Sequence, residues 1–460
     1  MKDCTNEPDI ELEFIEIQEG ADVDYEGNPI QKPMIESNSE SEATNKTTES
    51  TSEVGKKEIT LHRVRRFPTF VNLINALVGA GIVGVPATFK HSGLGPTIFL
   101  LILSCFLCYM CSNIIINLQY ELKIKGLDEL AFVCFKKPGE IIISILCMIF
   151  SLSCTVSYLI IGAAKIADWC TLGNFDVSGT WSYRILTLVY ALVFPVALTI
   201  PRHLSFLSKF SYVSLVSIGF YAIAILIKSI IELSKPNSLP ESVIGYNINS
   251  GIFSAFSVHA LTFSLSIVMM PVIAPYNPIP RKRHFILGVT YLFSWFVVAI
   301  PGAFAYLTKG SDTASDMLSS YPKDDILIIV VQAFMLCNVS ISYPVVIQSL
   351  VGSLGQLIFK QNLPELMTLK QRLILIPIID AVNIIIAMFL TDIQPVLGIG
   401  GSLGGCIVVF TFPSACRLRI TKDKLYTPRN IGHIILVIFG LAFACVCTYY
   451  TVLDAIKAYS

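Results

Sequence analysis

Charge is what this sequence has least of. Only 14% of its 460 residues are charged and 53% are hydrophobic, where ordinary soluble domains carry about 25% charged residues. That balance excludes a soluble enzyme. No pairing of a nucleophile with a base stands out, and no metal-ligating set does either. Cys108 and Cys111 have zinc-like spacing, but no second pair or nearby histidine completes a site. Most of the thirteen cysteines lie inside apolar runs, where they act as small hydrophobes. A basic start followed by an apolar run is also missing, which argues against a cleaved signal peptide.

What the chain does have is long apolar runs and segregated charge. Residues 1–60 hold 16 acids against 5 lysines, and Arg63, Arg65 and Arg66 follow. Ser, Thr, Glu and Asn dominate that stretch, so 1–62 reads as a disordered acidic tail open to protein partners. Beyond it, eleven apolar runs of about 20 residues each have the length that crosses a bilayer. They fall near 67–89, 95–118, 139–166, 183–200, 206–232, 251–276, 284–308, 325–353, 371–391, 394–414 and 430–455. With the amino terminus in the cytoplasm, most of the 33 lysines and arginines gather on the cytoplasmic side. The positive-inside rule therefore favours an all-α membrane protein of eleven helices, its carboxyl terminus on the opposite side.

Ten helices divide into two inverted halves of five, with the eleventh an addition. In such folds the first helix of each half is broken, and the breaks meet at the substrate site. The expected division is a ten-helix core over 63–414, then a loop and final helix over 415–460. The first run contains NLINALVGAGIVGVP at 72–86, with Asn72, Asn75, Gly79, Gly81, Gly84 and Pro86. Two readings fit it: an unwound segment lining a cavity, or a small-residue packing face. The sixth run occupies the equivalent place in the second half. It carries Ser254, Ser257, Thr262, Ser264 and Ser266, with Pro271 beyond, and this coincidence favours the cavity.

In the eighth run, Asn338, Ser340 and Ser342 precede Pro344. A proline frees the carbonyl four residues before it, here that of Ser340. That carbonyl beside two hydroxyls suits a small cation, while serines bonded back to their own helix are the plainer reading. Burying a charge in lipid costs at least about 2.5–3.5 kcal/mol, so ionisable residues within spans need reasons. Asp380, with Asn383 one turn on, is either a proton site or a structural partner. His259 reads as a hydrogen-bonded structural histidine. Lys165 and Asp168 are spaced to pair and reach outward, and Lys228 does the same near its own helix end.

Four stretches carry a family resemblance: NLINALVGAGIVGVPATFKHSG at 72–93, SYLIIG at 157–162, the hydroxyl-x-hydroxyl-x-Pro-Val-Val from Ser340 to Val346, and DIQPVLGIGGSLGGCIVVFTFPSACRLRI at 392–420. They resemble the amino acid/auxin permease family of the amino acid–polyamine–organocation superfamily, and most of all its sodium-coupled neutral amino acid transporters of systems A and N. The resemblance implies that Gly79, Ala80, Gly81 and Ile82 hold the substrate carboxylate, at amides where a half-helix begins. It implies that carbonyls around Phe263 and Ser264 meet the ammonium, and that Ser157 and Tyr158 close the site. Asn75, Ser340 and Ser342 fall where the sodium-coupled members bind their cation.

Two departures stand against it. Val268, Met269 and Met270 occupy a region where those members often have a histidine, and the eighth helix has serines where threonine is usual. The expected protein is a secondary transporter moving an amino acid, neutral rather than basic, by alternating access coupled to Na⁺ or H⁺. No other cofactor and no nucleic acid are expected. A plasma membrane and an endolysosomal or vacuolar one fit equally. The alternative is an amino-acid-sensing receptor of the same fold with little transport.

Overall fold

In a computed structural model, the structure describes residues 64–459 except Ala80, Lys125, Asp176, Ser178, 200–203, 237–238 and 361–366. The acidic tail and Ala80 therefore lie outside the described residues. Among those described, the regular structure is entirely helical. The apolar runs cannot leave backbone amides unpaired in lipid, and helices satisfy them within each segment.

The helices are α1 (Arg66–Val78), α2 (Gly81–Ser92), α3 (Leu94–Leu122), α4 (Leu127–Leu172), α5 (Thr180–Ala191), α6 (Leu204–Leu233), α7 (Gly251–Thr262), α8 (Ser266–Ile273), α9 (Pro280–Lys309), α10 (Ile326–Phe359), α11 (Leu369–Phe389), α12 (Ile393–Ile399), α13 (Phe412–Ile420) and α14 (Pro428–Tyr459). Ten stretches are long and apolar enough to cross a membrane, and the bent pair α1–α2 makes the eleventh. α7 and α8 together form span 6, and 393–420, with a π-helical middle at 400–411, forms span 10. The eleven expected runs are all present as helix. Each set of five opens with a broken span, the order expected of an inverted repeat. We call the end of the bundle where α1 starts the near end, and the end where α2 stops the far end.

Span 3 departs from the expected bounds. Helix begins at Leu127 rather than near 139, and Lys136 breaks it with φ 60° and ψ −158°. The segment before the break carries exposed Phe132, Val133 and Phe135. An apolar-run criterion passes over it because charged residues frame it on both sides.

Span 6 packs against span 10 without side chains between them at one point. A Cβ on Gly401 would lie 1.7 Å from the Ser257 carbonyl oxygen. Gly405 faces Ala260 in the same way, at 3.0 Å from its Cβ. The interior of the bundle is apolar, with Phe256, Phe263, Phe410 and Tyr343 fully enclosed.

Four ion pairs among the described residues lie at the far end. Lys165, fully buried, pairs with Asp316 in the loop between α9 and α10. Lys323 pairs with Asp168 at 2.9 Å, so Lys165 and Asp168 do not pair with each other and Lys165 does not reach outward. Helix spacing brings those two side chains near one another, but the α9–α10 loop supplies each with a partner of its own. Lys228 pairs with Asp325, which also caps α10 by accepting from the Leu327 amide at 3.0 Å. Partial burial pushes the Asp325 carboxyl up, yet Lys228 and the first amides of α10 outweigh it and hold the group below the ordinary carboxylate range.

Candidate functional site

The break in span 1 starts from Gly79. Its φ of 28° and ψ of −133° close α1, a conformation that an L side chain rarely adopts. α2 restarts at Gly81, and the two pieces meet at 45°. The amides of Gly81, Ile82 and Val83 open a helix ahead of its first intrahelical bond, and the helix dipole places partial positive charge there. The carbonyl end of α1 faces the same gap.

Span 6 breaks opposite. α7 stops at Thr262, and the Leu265 amide turns back to the Phe263 carbonyl at 2.8 Å before α8 begins. Pro271 lies inside α8 and is not the break. The two breaks touch: a Cβ on Gly81 would lie 2.3 Å from Thr262 Oγ1. One turn further toward the far end, Thr88 Oγ1 and His259 Nε2 share a hydrogen bond of 2.8 Å. His259 is thus the structural histidine that the sequence suggests.

Between the breaks lies a cavity of about 20 Å³, lined by Ala76, Leu77, Gly79, Gly81, Tyr158, Leu261, Thr262, Ser264 and neighbours from spans 3 and 8. It has room for about one water. Tyr158 leans over the span 1 break, its hydroxyl 2.4 Å from where a Gly79 Cβ would stand. No lysine, arginine, histidine or carboxylate lines this cavity.

The residues singled out from the sequence divide accordingly. Gly79, Gly81, Tyr158 and Ser264 line the cavity. Ser157 is buried with its hydroxyl returned to the Ser153 carbonyl at 2.8 Å. The Ile82 carbonyl accepts from Tyr221 at 3.3 Å. The Phe263 carbonyl accepts from Leu265 and from Tyr291 Oη at 3.3 Å, which occupies both of its lone pairs in this conformation.

A second cluster sits beside α1. Ser342 Oγ donates to Asn75 Oδ1 at 3.1 Å. Ser214 of α6 is in short contact with both Asn75 Oδ1 and Asn338 Oδ1. One hydroxyl has a single proton, so it satisfies one of those two acceptors and crowds the other. A turned-over Asn338 amide, whose Nδ2 has no hydrogen-bond partner among the described residues, would donate to Ser214 instead; in the orientation present, four oxygens meet beside α1. Ser340 stands apart from this group, bonded to Tyr190 at 3.1 Å. Ser214 was not legible as a member, because a serine in an apolar helix gives no sign of what it faces. Asn338 was visible, but its partners were not.

Asp380 forms a third cluster. Tyr343 Oη donates to its Oδ1 at 2.7 Å, Asn383 Nδ2 donates to Tyr343 Oη at 3.3 Å, and Thr155 donates to Asn383 Oδ1 at 2.9 Å. Asp380 and Asn383 therefore meet through a tyrosine of α10. The second carboxyl oxygen, Oδ2, has no hydrogen-bond partner among the described residues.

Comparison with known proteins agrees with this architecture. A family model described as transmembrane amino acid transporter protein matches residues 65–453. The sodium-coupled neutral amino acid symporter 2 of Danio rerio is 22% identical over 404 residues, covering 80% of this chain and 78% of that one. The sodium-coupled neutral amino acid transporter 7 of Danio rerio is 23% identical over 368 residues, covering 75% and 77%. A match of that extent, over a helical bundle whose first and sixth spans both break beside a central cavity, makes this chain a member of the transmembrane amino acid transporter family.

Proposed function

We propose that this protein carries a neutral amino acid across a membrane by alternating access, with Na⁺ moving alongside it. The observation that carries the reading is the pair of facing helix breaks around a cavity without charged side chains. A zwitterion there meets backbone dipoles: its carboxylate the first amides of α2 at Gly81 and Ile82, its ammonium the carbonyl ends of α1 and α7 and the Ser264 region. Uncharged walls favour a neutral side chain over a basic or acidic one. Ala80 stands between Gly79 and Gly81 in the sequence.

The Na⁺ reading rests on Asn75, Asn338, Ser342 and Ser214, whose oxygens converge beside α1. A cation there would hold α1 against α6 and α10, so that ion and substrate favour the same arrangement of the bundle. Both relatives are named as sodium-coupled, which agrees with it. A proton reading has one observation of its own, the enclosed Asp380, whose Oδ2 meets hydrogen-bond geometry with no group among the described residues. The near end would face the cytoplasm, by the lysines and arginines that gather there.

Uptake of labelled amino acids into proteoliposomes tests both parts. Na⁺-dependent uptake of neutral amino acids is expected; uptake that follows an imposed pH gradient and ignores Na⁺ moves the coupling to Asp380. A receptor with this fold would bind the same ligands with no counter-transport.

A further inference from the structure

A cavity larger than the central one lies elsewhere in the bundle. At the far end, a cavity of about 340 Å³ lies between α2, α7, the start of span 10 and the last turns of α14. This volume falls within the range of about 300–1,000 Å³ typical of small-molecule sites. Gln394 separates it from the centre: its side-chain amide donates to the Gly84 carbonyl at 2.8 Å and to the Ser315 carbonyl at 3.3 Å.

Its walls differ in kind from those of the centre. Lys90 and His91 come from α2, Asp392 from the start of span 10, and Asp454 and Lys457 from α14. Ser254 of α7 donates to Asp454 Oδ2 at 2.5 Å and orients that carboxylate into the same space. Two ammonium groups and two carboxylates therefore share one cavity, with no net charge while His91 is neutral. A simple anion gains at the lysines what it loses at the carboxylates, and a simple cation the reverse. A molecule that carries both charges on substituents of one carbon gains on both sides.

We propose that this far-end cavity is a second binding site for a zwitterionic α-amino acid, which sets its carboxylate on Lys90 and Lys457 and its ammonium on Asp392 and Asp454. The inference rests on the transport reading above and deepens it, because the site would collect substrate before Gln394 releases the passage below. An occupant would also tie α2 and the start of span 10 to α14, giving the eleventh helix a part in recognition.

Equilibrium binding to the purified full chain in nanodiscs tests this, with tritiated alanine, glutamine and leucine as probes. Two sites per chain are expected for a transported probe. Gly81→Leu should keep one of them, and Asp392→Asn with Asp454→Asn added should remove it. The carboxylate pair changed alone in the wild-type background should raise KM for uptake about fivefold or more and leave kcat in place. This second measurement decides the matter if the Gly81 variant does not fold. Acetate or methylammonium should not compete at the second site. One site in the wild type, an unchanged KM, or competition by either single ion overturns the proposal. Absence of uptake for every amino acid tried would overturn the transport reading itself, and that result is separate from the others.

Discussion

The centre of this protein and its far end handle charge in opposite ways. Around the helix breaks no lysine, arginine, histidine or carboxylate lines the cavity, and polarity comes from helix termini, hydroxyls and amides. The far end has Lys165 with Asp316, Lys228 with Asp325, Lys323 with Asp168 and Lys309 with Glu232. Fixed partial charges suit a place that must bind and release, since they exert modest forces and need no counter-ion when the ligand leaves. Full charges already paired with one another, as in these four bridges, suit a place that must hold shape against water. A deep ion pair with one partner removed leaves a buried charge, at a cost of about 3–5 kcal/mol.

The sharpest way to break the comparison is at Gly81. Gly81→Leu puts side-chain atoms where Thr262 Oγ1 already is, and uptake should fall to background while the protein still elutes as a folded species. Unchanged uptake would mean that the span 1 break is packing only.

Lys165→Met should come next in effect and should act on stability instead. With Asp316 left alone in a buried place, the melting temperature of the solubilised protein should fall sharply; adding Asp316→Leu should recover much of the loss. Equal melting of the single and double variants would mean that the pair is not the anchor of the α9–α10 loop.

Ser214→Ala combined with Ser342→Ala sharpens the central half of the comparison. Removing two oxygen ligands should raise the Na⁺ concentration for half-maximal uptake about tenfold, a loss near 1.4 kcal/mol, and leave the order of preferred amino acids as it was. A shift in that order without a change in Na⁺ dependence would place the cation elsewhere.

The smallest effect is expected at Asp325. Because its folded carboxyl lies below the ordinary range, its contribution is complete above about pH 4 and is lost as pH falls through the folded value. Melting curves of the wild type and Asp325→Asn should therefore differ modestly at pH 7 and converge in acid. A difference that grows in acid would contradict the sign of the shift.

Much of this was legible before any coordinates. Hydropathy located every span, since a bilayer imposes one length on them all. The glycines at 79 and 81 fitted a packing face as well as a break, and the small, hydroxylated middle of span 6 favoured the break. Phe263 and Ser264 bounded the second break correctly, whereas Pro271 was an uninformative proline within α8. The misreading of Lys165 and Asp168 shows where local rules stop. Spacing along one helix predicts a neighbour, but each residue took a partner from a loop distant in the chain. The oxygen cluster declared itself only in part for the same reason: Asn75 and Ser342 were cation candidates from the sequence, and Ser214 was not. Ser214, Asn75 and Asn338 come from three helices, and which face each presents is decided by packing.

The contact of Gly401 with the Ser257 carbonyl has a mechanical consequence. Two helices touching backbone to backbone have no side chain to rotate or shear, so α7 and the middle of span 10 transmit displacement as a single lever. Any tilt that frees Gln394 from Gly84 is then felt at Thr262, where α7 ends against Gly81. Access from one end and the fit around the substrate become two readings of one angle.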